Sequence, residues 1–511
     1  MSATQKHVVA FTYQSWGHAR PLIHLCARFV KLREVYVTFL VPDSLLDRAT
    51  SELSRSFAPG EDQPASRLRV VSLGDSAGAA GFNSVDETLK ATWEKLCAEE
   101  EIVCGKTGTR FSSLSKPQAV ILDYFAIGPI HTIRALSGNS VKIYSWMSGA
   151  AMGIFYLFGP EQLGGRGNIR LKAEEEAKRT GRSFEEIAIE MSLIPKGEVV
   201  KVPSLPPMYD YEYYPQEFDL PREVGAKLLP RIYEALESCD GTFLMSPQSY
   251  EPDAVAAVRQ WYAETSRQVY VCGPLLPPQT ATAAENEKKQ SKVSAEIQEF
   301  LDKTLKTAGE RSLLYMSFGS LFWPKSPEKV WAFLDVVMEL NIPFLLSHAS
   351  PKAVVPEDVK AKVQAYGKGF LSSWSPQQTV LEHPVTGWFL SHGGQNSVIE
   401  SVAAGVPLIL WPFGGDQPVN AIHISEQLQV GYELIEVRTG HGLHPIYRNG
   451  RKPAGTIDVL KSEAREVLTK AYGQDGAEKR ERLQKLTESV LREWEEGGAA
   501  LRDATAFLDG L

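Results

Sequence analysis

Short apolar runs alternate along the chain with stretches whose apolar residues recur at helical spacing. His7–Tyr13 and Val35–Val41 are two such runs, and the segment LIHLCARFVKL between them has helical spacing. The alternation continues with the apolar runs Ala119–Leu122, Val141–Trp146 and Gly241–Met245. A succession of strand, helix and strand of this kind predicts a doubly wound parallel sheet in the first half of the chain.

A second sheet is predicted after a polar interruption. Residues 274–294 combine Pro, Ala, Thr and mixed charge with almost no large apolar side chains, as exposed linkers do. The alternation then restarts with SLLYMSFGS and a helix over Pro327–Leu340. We therefore predict an α/β protein with two Rossmann-like domains, at residues 1–265 and 266–485. A terminal helix at about 486–511 is expected to pack back on the first domain.

Composition narrows the class of protein. The chain has 511 residues, 43% hydrophobic and 23% charged, which excludes a small single module and a disordered chain. Its 54 basic and 62 acidic residues give a net charge of −8, so nucleic acid is not an expected partner. The five cysteines are scattered and lack the spacing of zinc ligands or of a disulfide framework.

The sequence also lacks the patterns of membrane and secretory segments. No apolar stretch reaches about 18 residues. The polar start MSATQKHVVAFTY has no cationic region followed by a cleavage site. We therefore expect a cytoplasmic protein without a membrane span, and we expect it to be a monomer.

The most informative segment is GWFLSHGGQNSVIESVAAGVPLILWP. A strand runs into His392–Gly394 and then into a helix that Gly405 closes. Glycines let backbone amides approach a ligand, and the first turn of a helix attracts anions, so this turn is suited to a phosphate with His392 as a side-chain donor. Asn396 and Ser397 are residue types that cap helices. An ordinary strand-to-helix turn with a packing histidine remains open at this point.

Residues on both sides of this turn add the chemistry of a nucleotide and a sugar. Trp374 offers a flat face for a base, and Gln377 can hydrogen-bond the polar edge of that base. The carboxylate of Glu400 can accept both hydroxyl hydrogens of a ribose. Asp416 and Gln417 offer acceptors and a donor for sugar hydroxyls. Together with the phosphate turn, these residues indicate a nucleotide-sugar.

The stretch Trp374–Gln417 resembles the nucleotide-sugar signature of family 1 glycosyltransferases, which use UDP-sugars and have the GT-B fold. The family pattern is matched without a gap at Trp374, Pro376-Gln377, Leu381, His383-Pro384, Phe389, His392, Gly394, Asn396-Ser397, Glu400, Gly405, Pro407, Pro412 and Asp416-Gln417. Weaker similarities cover HVVAFTYQSWGHARP, VILDYF, CGPLLP and YMSFGS. The resemblance implies two Rossmann-like domains facing across a cleft, a UDP-sugar co-substrate, a small-molecule acceptor, and neither a cofactor nor a metal.

The resemblance also implies roles for single residues. It places Trp374 and Gln377 on uracil and Glu400 on the ribose. The diphosphate is assigned to Gly319, Ser320, His392, Gly394, Asn396 and Ser397. The transferred sugar is assigned to Asp416 and Gln417. Ser148, in SWMSGAA, is either a contact of that sugar or a helix N-cap.

Two features depart from the family pattern. Plant members carry HCGWNS at the phosphate turn, whereas this chain has HGGQNS, which is closer to fungal, bacterial and animal members. Gln395 thus replaces a tryptophan that contacts the donor, and glucuronate, N-acetylglucosamine or a deoxysugar are alternatives to glucose. The stretch Arg438–Thr456 has no counterpart in the pattern and is either a surface loop or a border of the donor site.

The first half supplies a candidate catalytic pair. His18 follows the first strand and precedes Arg20-Pro21, where proline suits a first helical turn, so its ring is expected at the carboxyl end of the sheet. A histidine pKa of about 6.5 suits a general base near neutral pH. Asp123 ends another strand and can orient the imidazole. The family has its catalytic His and Asp at these positions; a structural histidine and a strand-end cap are the alternatives.

These observations predict an inverting transferase that moves glucose from UDP-glucose to a hydroxyl of a small lipophilic acceptor. Aromatic residues after the strand ends, including Trp146 and Phe155, and the segment MYDYEYYPQEF suit such an acceptor, although about half of these rings are expected in the core. A catalytically silent nucleotide-sugar-binding protein is the alternative from another class. A dinucleotide oxidoreductase is disfavoured, because no GxGxxG motif opens the chain.

Overall fold

The structure of the protein, a computed structural model, describes residues 5–13, 15–74, 85–217, 221–278, 287 and 293–511. Of the predicted linker, residues 279–286 and 288–292 lie outside this described part, as does Phe218 at the end of the aromatic segment. The elements below are numbered in chain order.

The strands include one in each of the short apolar runs named above, together with others outside those runs. They are β1 (Lys6–Phe11), β2 (Val35–Val41), β3 (Leu68–Ser72), β4 (Ile102–Val103), β5 (Arg110–Phe111), β6 (Ala119–Asp123), β7 (Lys142–Met147), β8 (Val199–Val200), β9 (Met208–Tyr209), β10 (Gly241–Leu244), β11 (Gln268–Val271), β12 (Leu313–Ser317), β13 (Phe344–Ser347), β14 (Gly369–Ser372), β15 (Thr386–Ser391), β16 (Leu408–Leu410) and β17 (Gly431–Glu433).

Helices occupy the stretches between the strands. They are α1 (Trp16–Leu32), α2 (Asp43–Leu53), α3 (Asp62–Ala65), α4 (Asp86–Cys97), α5 (Ile127–Ser137), α6 (Ala151–Phe158), α7 (Ile169–Thr180), α8 (Phe184–Leu193), α9 (Leu229–Glu237), α10 (Pro252–Ala263), α11 (Ser294–Ala308), α12 (Glu328–Glu339), α13 (Glu357–Tyr366), α14 (Gln377–Glu382), α15 (Gln395–Ala403), α16 (Gln417–Ile422), α17 (Ile457–Ala471), α18 (Gln474–Leu491) and α19 (Ala499–Asp509).

The first sheet is parallel and has the strand order β11-β10-β7-β6-β1-β2-β3. The chain extends it in one direction from β1 to β3 and in the other from β6 to β11, which is the Rossmann arrangement. The central strand β6 is buried along its whole length, as expected for a sheet with helices on both faces. The direction switches between β1 and β6, where such sheets open a crevice for ligands.

The C-terminal helix α19 contributes to the core of the first sheet. It packs against β11 and α1. The ring of Phe507 lies 5.3 Å from that of Phe29 and 4.9 Å from that of Phe243. Lys6 donates from Nζ to the carbonyl oxygen of Leu508 at 3.0 Å. The end of the chain thus packs against the sheet that the beginning of the chain forms.

The second sheet is also parallel, with the order β14-β13-β12-β15-β16-β17. Its direction switches between β12 and β15, so that the phosphate turn after β15 lies at the switch point. Two parallel Rossmann-like sheets with helices between their strands confirm the predicted α/β class.

The chain divides into two compact units. The first comprises Met1–Ile194, Leu220–Asn286 and Arg492–Leu511, and the second comprises Pro195–Asp219 and Glu287–Leu491. The antiparallel pair of β8 and β9 therefore lies in the second unit, although its sequence precedes α9 of the first. The alternation of strands and helices does not indicate that Pro195–Asp219 belongs to the second unit. This segment lies inside the range 1–265 that the sequence predicts as one domain.

Candidate active site

His18 lies at the switch point of the first sheet. The helix α1 begins at Trp16 with Ser15 as its N-cap, so His18 is in the first turn. Pro21 lies in the second turn, and the expectation that it opens the helix is wrong. Nδ1 of His18 lies 2.7 Å from Oδ2 of Asp123, the last residue of β6. The structure therefore brings the two predicted residues together.

Asp123 is fully buried and is held by further hydrogen bonds within the first unit. The hydroxyl of Thr12 donates to Oδ2 at 3.1 Å, and the backbone N–H of Phe125 donates to Oδ1 at 3.0 Å. A carboxylate accepts hydrogen bonds and does not donate them, so a neutral imidazole at His18 has its proton on Nδ1 and its lone pair on Nε2. This tautomer is the one that a base acting through Nε2 requires.

Aromatic rings lie beside the imidazole of His18. The ring centroids of Tyr124 and Phe125 are 5.8 and 5.4 Å from it. Trp146 is fully buried and donates from Nε1 to the carbonyl oxygen of His18 at 3.0 Å. Phe155 is also fully buried. The last two rings belong to the core, as was expected for about half of the aromatic residues named for the acceptor.

Ser148 follows β7 and precedes α6. The N-cap of α6 is Ala150, and the first two amides of the helix, at Ala151 and Met152, each donate to the carboxylate of Glu251 at 2.7 Å. The predicted alternative of an N-cap at Ser148 is therefore wrong. Its hydroxyl is buried and has no hydrogen-bond partner among the described residues. The sugar contact stays a prediction.

The phosphate turn of the second unit is built around His392. A Cβ at Gly319, in the loop after β12, would lie 3.0 Å from the imidazole, and a Cβ at Gly394 would lie 2.7 Å from Nε2. Gly319 and Gly393 have φ angles of 75° and 88°, which favour glycine. The ring therefore fits between two glycine loops, and Ser320, which follows Gly319, is exposed.

The electrostatic environment of His392 keeps its side chain neutral. Burial lowers the pKa of His392 from 6.5 to about 4, because a charged imidazole would lose its hydration. The ring of Phe322 lies 5.7 Å away. A neutral imidazole still donates one N–H, and an anion placed beside it would favour protonation. The imidazole can therefore hydrogen-bond a phosphate, and its contact with the diphosphate stays a prediction.

The N-cap of the helix α15 lies two residues before Asn396, the first of the two capping residue types in the sequence. This N-cap is Gly394, so Asn396 and Ser397 lie within the first turn. The N–H of Gln395 donates to Oδ2 of Asp416 at 3.1 Å. A carboxylate is stabilised at the positive end of a helix, so this bond fixes Asp416 beside the phosphate turn.

Gln377, the first residue of α14, connects the predicted nucleotide residues. Its Nε2 donates to Oε2 of Glu400 at 2.5 Å and to the hydroxyl of Ser397 at 3.2 Å. The hydroxyl of Tyr315 donates to Oε1 of Gln377 at 3.4 Å, a contact that the sequence did not predict. Trp374 precedes this helix and is half-buried. The side chains predicted for base and ribose therefore lie at the carboxyl end of the second sheet.

Gln417 is more constrained than the sequence suggested. Its Oε1 accepts from the N–H of Phe413 at 2.9 Å and from the N–H of Gly414 at 3.4 Å. The residue is 2% exposed. Both lone pairs of the amide oxygen are engaged, so Nε2 is the group of this side chain that can serve a ligand. The expectation that Gln417 also accepts from sugar hydroxyls is therefore wrong.

The stretch Arg438–Thr456 is fastened to the second unit by ion pairs. Arg438 is 1% exposed and pairs with Glu433 at 2.5 Å. Arg448 pairs with Glu433 at 2.5 Å and with Glu212 at 3.0 Å. The charges of these two arginines are therefore compensated within the protein. This stretch packs as an integral part of the second unit.

Neither a membrane-spanning helix nor a metal-binding cluster occurs in the part of the chain that the structure describes. No helix there has the length and apolarity needed to cross a bilayer. No group of three or more His, Cys, Asp or Glu side chains there is arranged to hold a metal ion. The histidines His441 and His444 stack at 6.3 Å without such a group.

Comparisons with known proteins agree with this geometry. Residues 229–440 match the family model described as UDP-glucoronosyl and UDP-glucosyl transferase. The UDP-glycosyltransferase eriJ of Hericium erinaceus is 31% identical over 524 aligned residues, which cover 100% of this chain and 99% of that protein. This chain belongs to the UDP-glycosyltransferase family. It is a transferase that uses a UDP-sugar and acts on small molecules.

Solved structures of UDP-glycosyltransferases share the fold. A UGT transferase of Siraitia grosvenorii, crystallised with UDP, has a TM-score of 0.70 and 19% identity over 99% of each chain. The Phytolacca americana UGT2, complexed with UDP-2-fluoro-glucose and pterostilbene, has a TM-score of 0.68 and 20% identity over 100% of each chain. These similarities, with the two Rossmann-like sheets, show the GT-B type of fold that the signature predicted.

Proposed function

We propose that this UDP-glycosyltransferase is an inverting enzyme that transfers glucose from UDP-glucose to a hydroxyl of a small lipophilic acceptor. The proposal is carried by the 2.7 Å bond between Nδ1 of His18 and Oδ2 of the buried Asp123. With Nδ1 bonded to the carboxylate, Nε2 is the atom that would take the proton, and the carboxylate would stabilise the imidazolium that forms. A catalytically silent binding protein would have no need of such a pair.

In the proposed reaction, His18 takes the hydroxyl proton of the acceptor at Nε2. The acceptor oxygen forms a bond to C1 of the sugar while the bond between C1 and the β-phosphate oxygen breaks. UDP leaves with that electron pair, and the α-linked donor becomes a β-glycoside. A positioned base of this kind contributes about 10²–10⁴-fold to the rate. The imidazolium then releases its proton to solvent.

The second unit would hold the UDP. Trp374 would stack on uracil and Gln377 would bond its edge, while Glu400 accepts from the ribose hydroxyls. The glycine turn brings amides and His392 to one place, where they can bind the diphosphate. Asn396 and Ser397 in the first turn of α15, together with Gly319 and Ser320, would complete this contact. The same groups would stabilise the charge of the leaving UDP.

Glucose as the donor sugar is supported by the loop before α16. Nε2 of Gln417 and the carboxylate of Asp416 supply a donor and an acceptor for neighbouring equatorial hydroxyls. The axial O4 of galactose would leave one of them poorly paired. Gln395 is uncharged and Arg448 is paired with glutamates, so neither offers a counter-ion to glucuronate. The Phytolacca americana relative binds UDP-2-fluoro-glucose.

A lipophilic acceptor is supported by the rings around the proposed base. Tyr124 and Phe125 lie beside His18, and a ring of either type can pack on a flat apolar molecule. The Phytolacca americana structure contains pterostilbene. We further propose that the enzyme is a cytoplasmic monomer that requires no metal ion. Turnover should then persist after dialysis against EDTA.

The donor assignment is tested by specificity constants for UDP-glucose, UDP-galactose, UDP-glucuronate and UDP-N-acetylglucosamine with one accepted phenol. UDP-glucose should be the best donor, with UDP-galactose about 5–150-fold poorer. A different best donor would overturn the choice of glucose and leave the chemistry of His18 untouched. Tight UDP binding without turnover on a broad library of acceptors would favour the silent binding protein.

A further inference from the structure

Residues 215–217, in the segment 195–219, are packed between two loops of the second unit. The carbonyl oxygen of Pro215 accepts from the N–H of Thr439 at 3.0 Å, and the N–H of Glu217 donates to the hydroxyl of Thr439 at 2.8 Å. A Cβ at Gly442 would lie 2.1 Å from the Pro215 oxygen. The stretch 438–456, which the family signature does not include, thus fixes the backbone on both sides of Gln216.

Gln216 in turn reaches the loop that carries the proposed donor-sugar residues. Its side chain is buried, and Nε2 donates to the carbonyl oxygen of Pro412 at 2.7 Å. The N–H on the other side of that same peptide group belongs to Phe413 and donates to Oε1 of Gln417 at 2.9 Å. Gln216 thus bonds the C=O and Gln417 bonds the N–H of one peptide group. Because this group is planar, its C=O and N–H can only turn together.

The orientation of this peptide determines the orientation of the Gln417 amide. If the Pro412–Phe413 peptide rotates, its N–H no longer points at Oε1 of Gln417. The amide of Gln417 then loses the shorter of the two backbone bonds that turn Nε2 away from the backbone. A single peptide group therefore connects Gln216 to Gln417, whose Nε2 would contact the sugar.

A buried ion-pair network keeps the chain around Glu212 in place. Glu212 is fully buried, accepts from the N–H of Tyr447 at 3.0 Å and pairs with Arg448 at 3.0 Å. Arg448 also bonds Glu433 at the end of β17. Removing one member of such a network leaves a buried charge uncompensated, so this part of the chain is held firmly.

We propose that Gln216 is a positioning residue for the donor-sugar loop, Pro412–Gln417, and that it thereby sets the discrimination between donor sugars. This inference rests on the proposed function, in which Gln417 contacts the transferred sugar. Gln216 itself touches neither substrate in this account. Its effect passes through the peptide that it shares with Gln417.

The test compares Gln216→Met, which keeps the length of the side chain and removes the donor, with the control Glu217→Ala. The exposed Glu217 bonds Thr439 through its backbone, so its side chain is dispensable for that contact. In Gln216→Met, the ratio of specificity constants for UDP-glucose over UDP-galactose should fall about 5-fold or more, while the Kd for UDP changes less than about 2-fold. The control should keep both values.

A second pair of variants reaches the same contact from the other side. Gly442→Ala would push on the Pro215 carbonyl, whereas Gly450→Ala, at a φ of 67°, strains the backbone of the same stretch with nothing within 4 Å of the added Cβ. The donor ratio should change in the first and persist in the second. This pair keeps the test decisive if Gln216→Met fails to fold.

Gln417→Met separates failure of this inference from failure of the proposed function. If Gln417→Met changes the donor ratio and Gln216→Met does not, the positioning role is overturned and the sugar contact stands. If neither changes the ratio, the sugar contact itself is wrong. A loss of UDP affinity in Gln216→Met that lowers both specificity constants equally would mean a merely structural residue. The double variant should show the same ratio as Gln417→Met alone.

Discussion

Thr12 donates its hydroxyl hydrogen to Oδ2 of Asp123 at 3.1 Å, and this is the same oxygen that accepts from Nδ1 of His18. Thr12 follows β1, so it reaches the end of the neighbouring strand β6 across the switch point. The hydroxyl of Thr12 thus orients the carboxylate of Asp123. Thr12 lies between β1 and α1, the helix that carries the proposed base His18. This makes Thr12 a positioning residue for the pair.

Thr12→Val should therefore lower turnover while it preserves side-chain volume. A hydrogen bond to a charged group is worth about 1.5–3 kcal/mol, so a fall in kcat of about 10-fold or more is expected. The KM for the UDP-sugar should stay within about 2-fold, because the second unit is unchanged. Thr12→Ser, which keeps the hydroxyl, should restore most of the rate. A valine variant with normal kcat would show that Asp123 does not need this bond.

Gly394→Ala should weaken binding of the UDP-sugar. The residue has a φ of −63°, so alanine brings no backbone strain, but the new Cβ would lie 2.7 Å from Nε2 of His392. The displaced imidazole would then no longer bond the diphosphate. The loss of one charge-assisted hydrogen bond predicts a rise in the Kd for UDP of about 10-fold. Calorimetry measures this Kd directly.

The matched control is Gly405→Ala at the other end of the same helix. Gly405 has a φ of 67°, and its nearest atom to an added Cβ is 4.0 Å away. This variant strains the helix without touching His392. Equal weakening of UDP binding by both changes would show that the helix, and not the imidazole, is responsible.

Much of this arrangement could be predicted from the sequence. The apolar runs and helical stretches predict two parallel sheets, and residues at the carboxyl ends of adjacent parallel strands converge. For this reason, His18 and Asp123 could be paired although they are 105 residues apart. The glycine turn and Gln377 with Glu400 followed from the same logic.

Other contacts leave no trace in a pattern of apolar and polar residues. Gln216 and Pro412 are 196 positions apart and lie in loops, where no periodicity predicts pairing. From the sequence, Thr12 looks like any residue at the end of a strand, so its bond to Asp123 is not predicted. Whether Trp146 belongs to the core depends on the direction in which its ring points. Such contacts are set by side-chain packing in three dimensions, which the sequence pattern does not encode.

The stability of the first unit should depend on pH through His7. Burial lowers the pKa of His7 to about 4, and its ring bonds the carbonyl oxygen of Ser115 and the hydroxyl of Thr38, each at 2.8 Å. The unfolded chain, with a histidine pKa of about 6.5, binds this proton more readily than the folded one. The contribution of His7 to the free energy of unfolding is therefore fully present above pH 6.5 and is lost as the pH drops toward 4.

The expected loss between pH 7.5 and pH 5 is about 2 kcal/mol for this one residue. Urea unfolding at both pH values measures it. His7→Gln should be less stable at pH 7.5 but should lose about 2 kcal/mol less on acidification than the parent protein. His131→Gln, an exposed histidine on α5, serves as the control and should keep the parent slope. An unchanged slope in His7→Gln would contradict the burial of a neutral imidazole.

The central claim is that His18 acts as the base and plays no part in UDP binding. The most direct measurement is the turnover of His18→Ala on an aliphatic alcohol acceptor, made alongside calorimetry of UDP. The account predicts a fall in kcat of about 10²-fold or more and a Kd for UDP within about 2-fold of the parent value. A smaller loss is expected on a phenol that is already ionised at the assay pH. Turnover within a few-fold of the parent enzyme on the aliphatic alcohol would contradict the account.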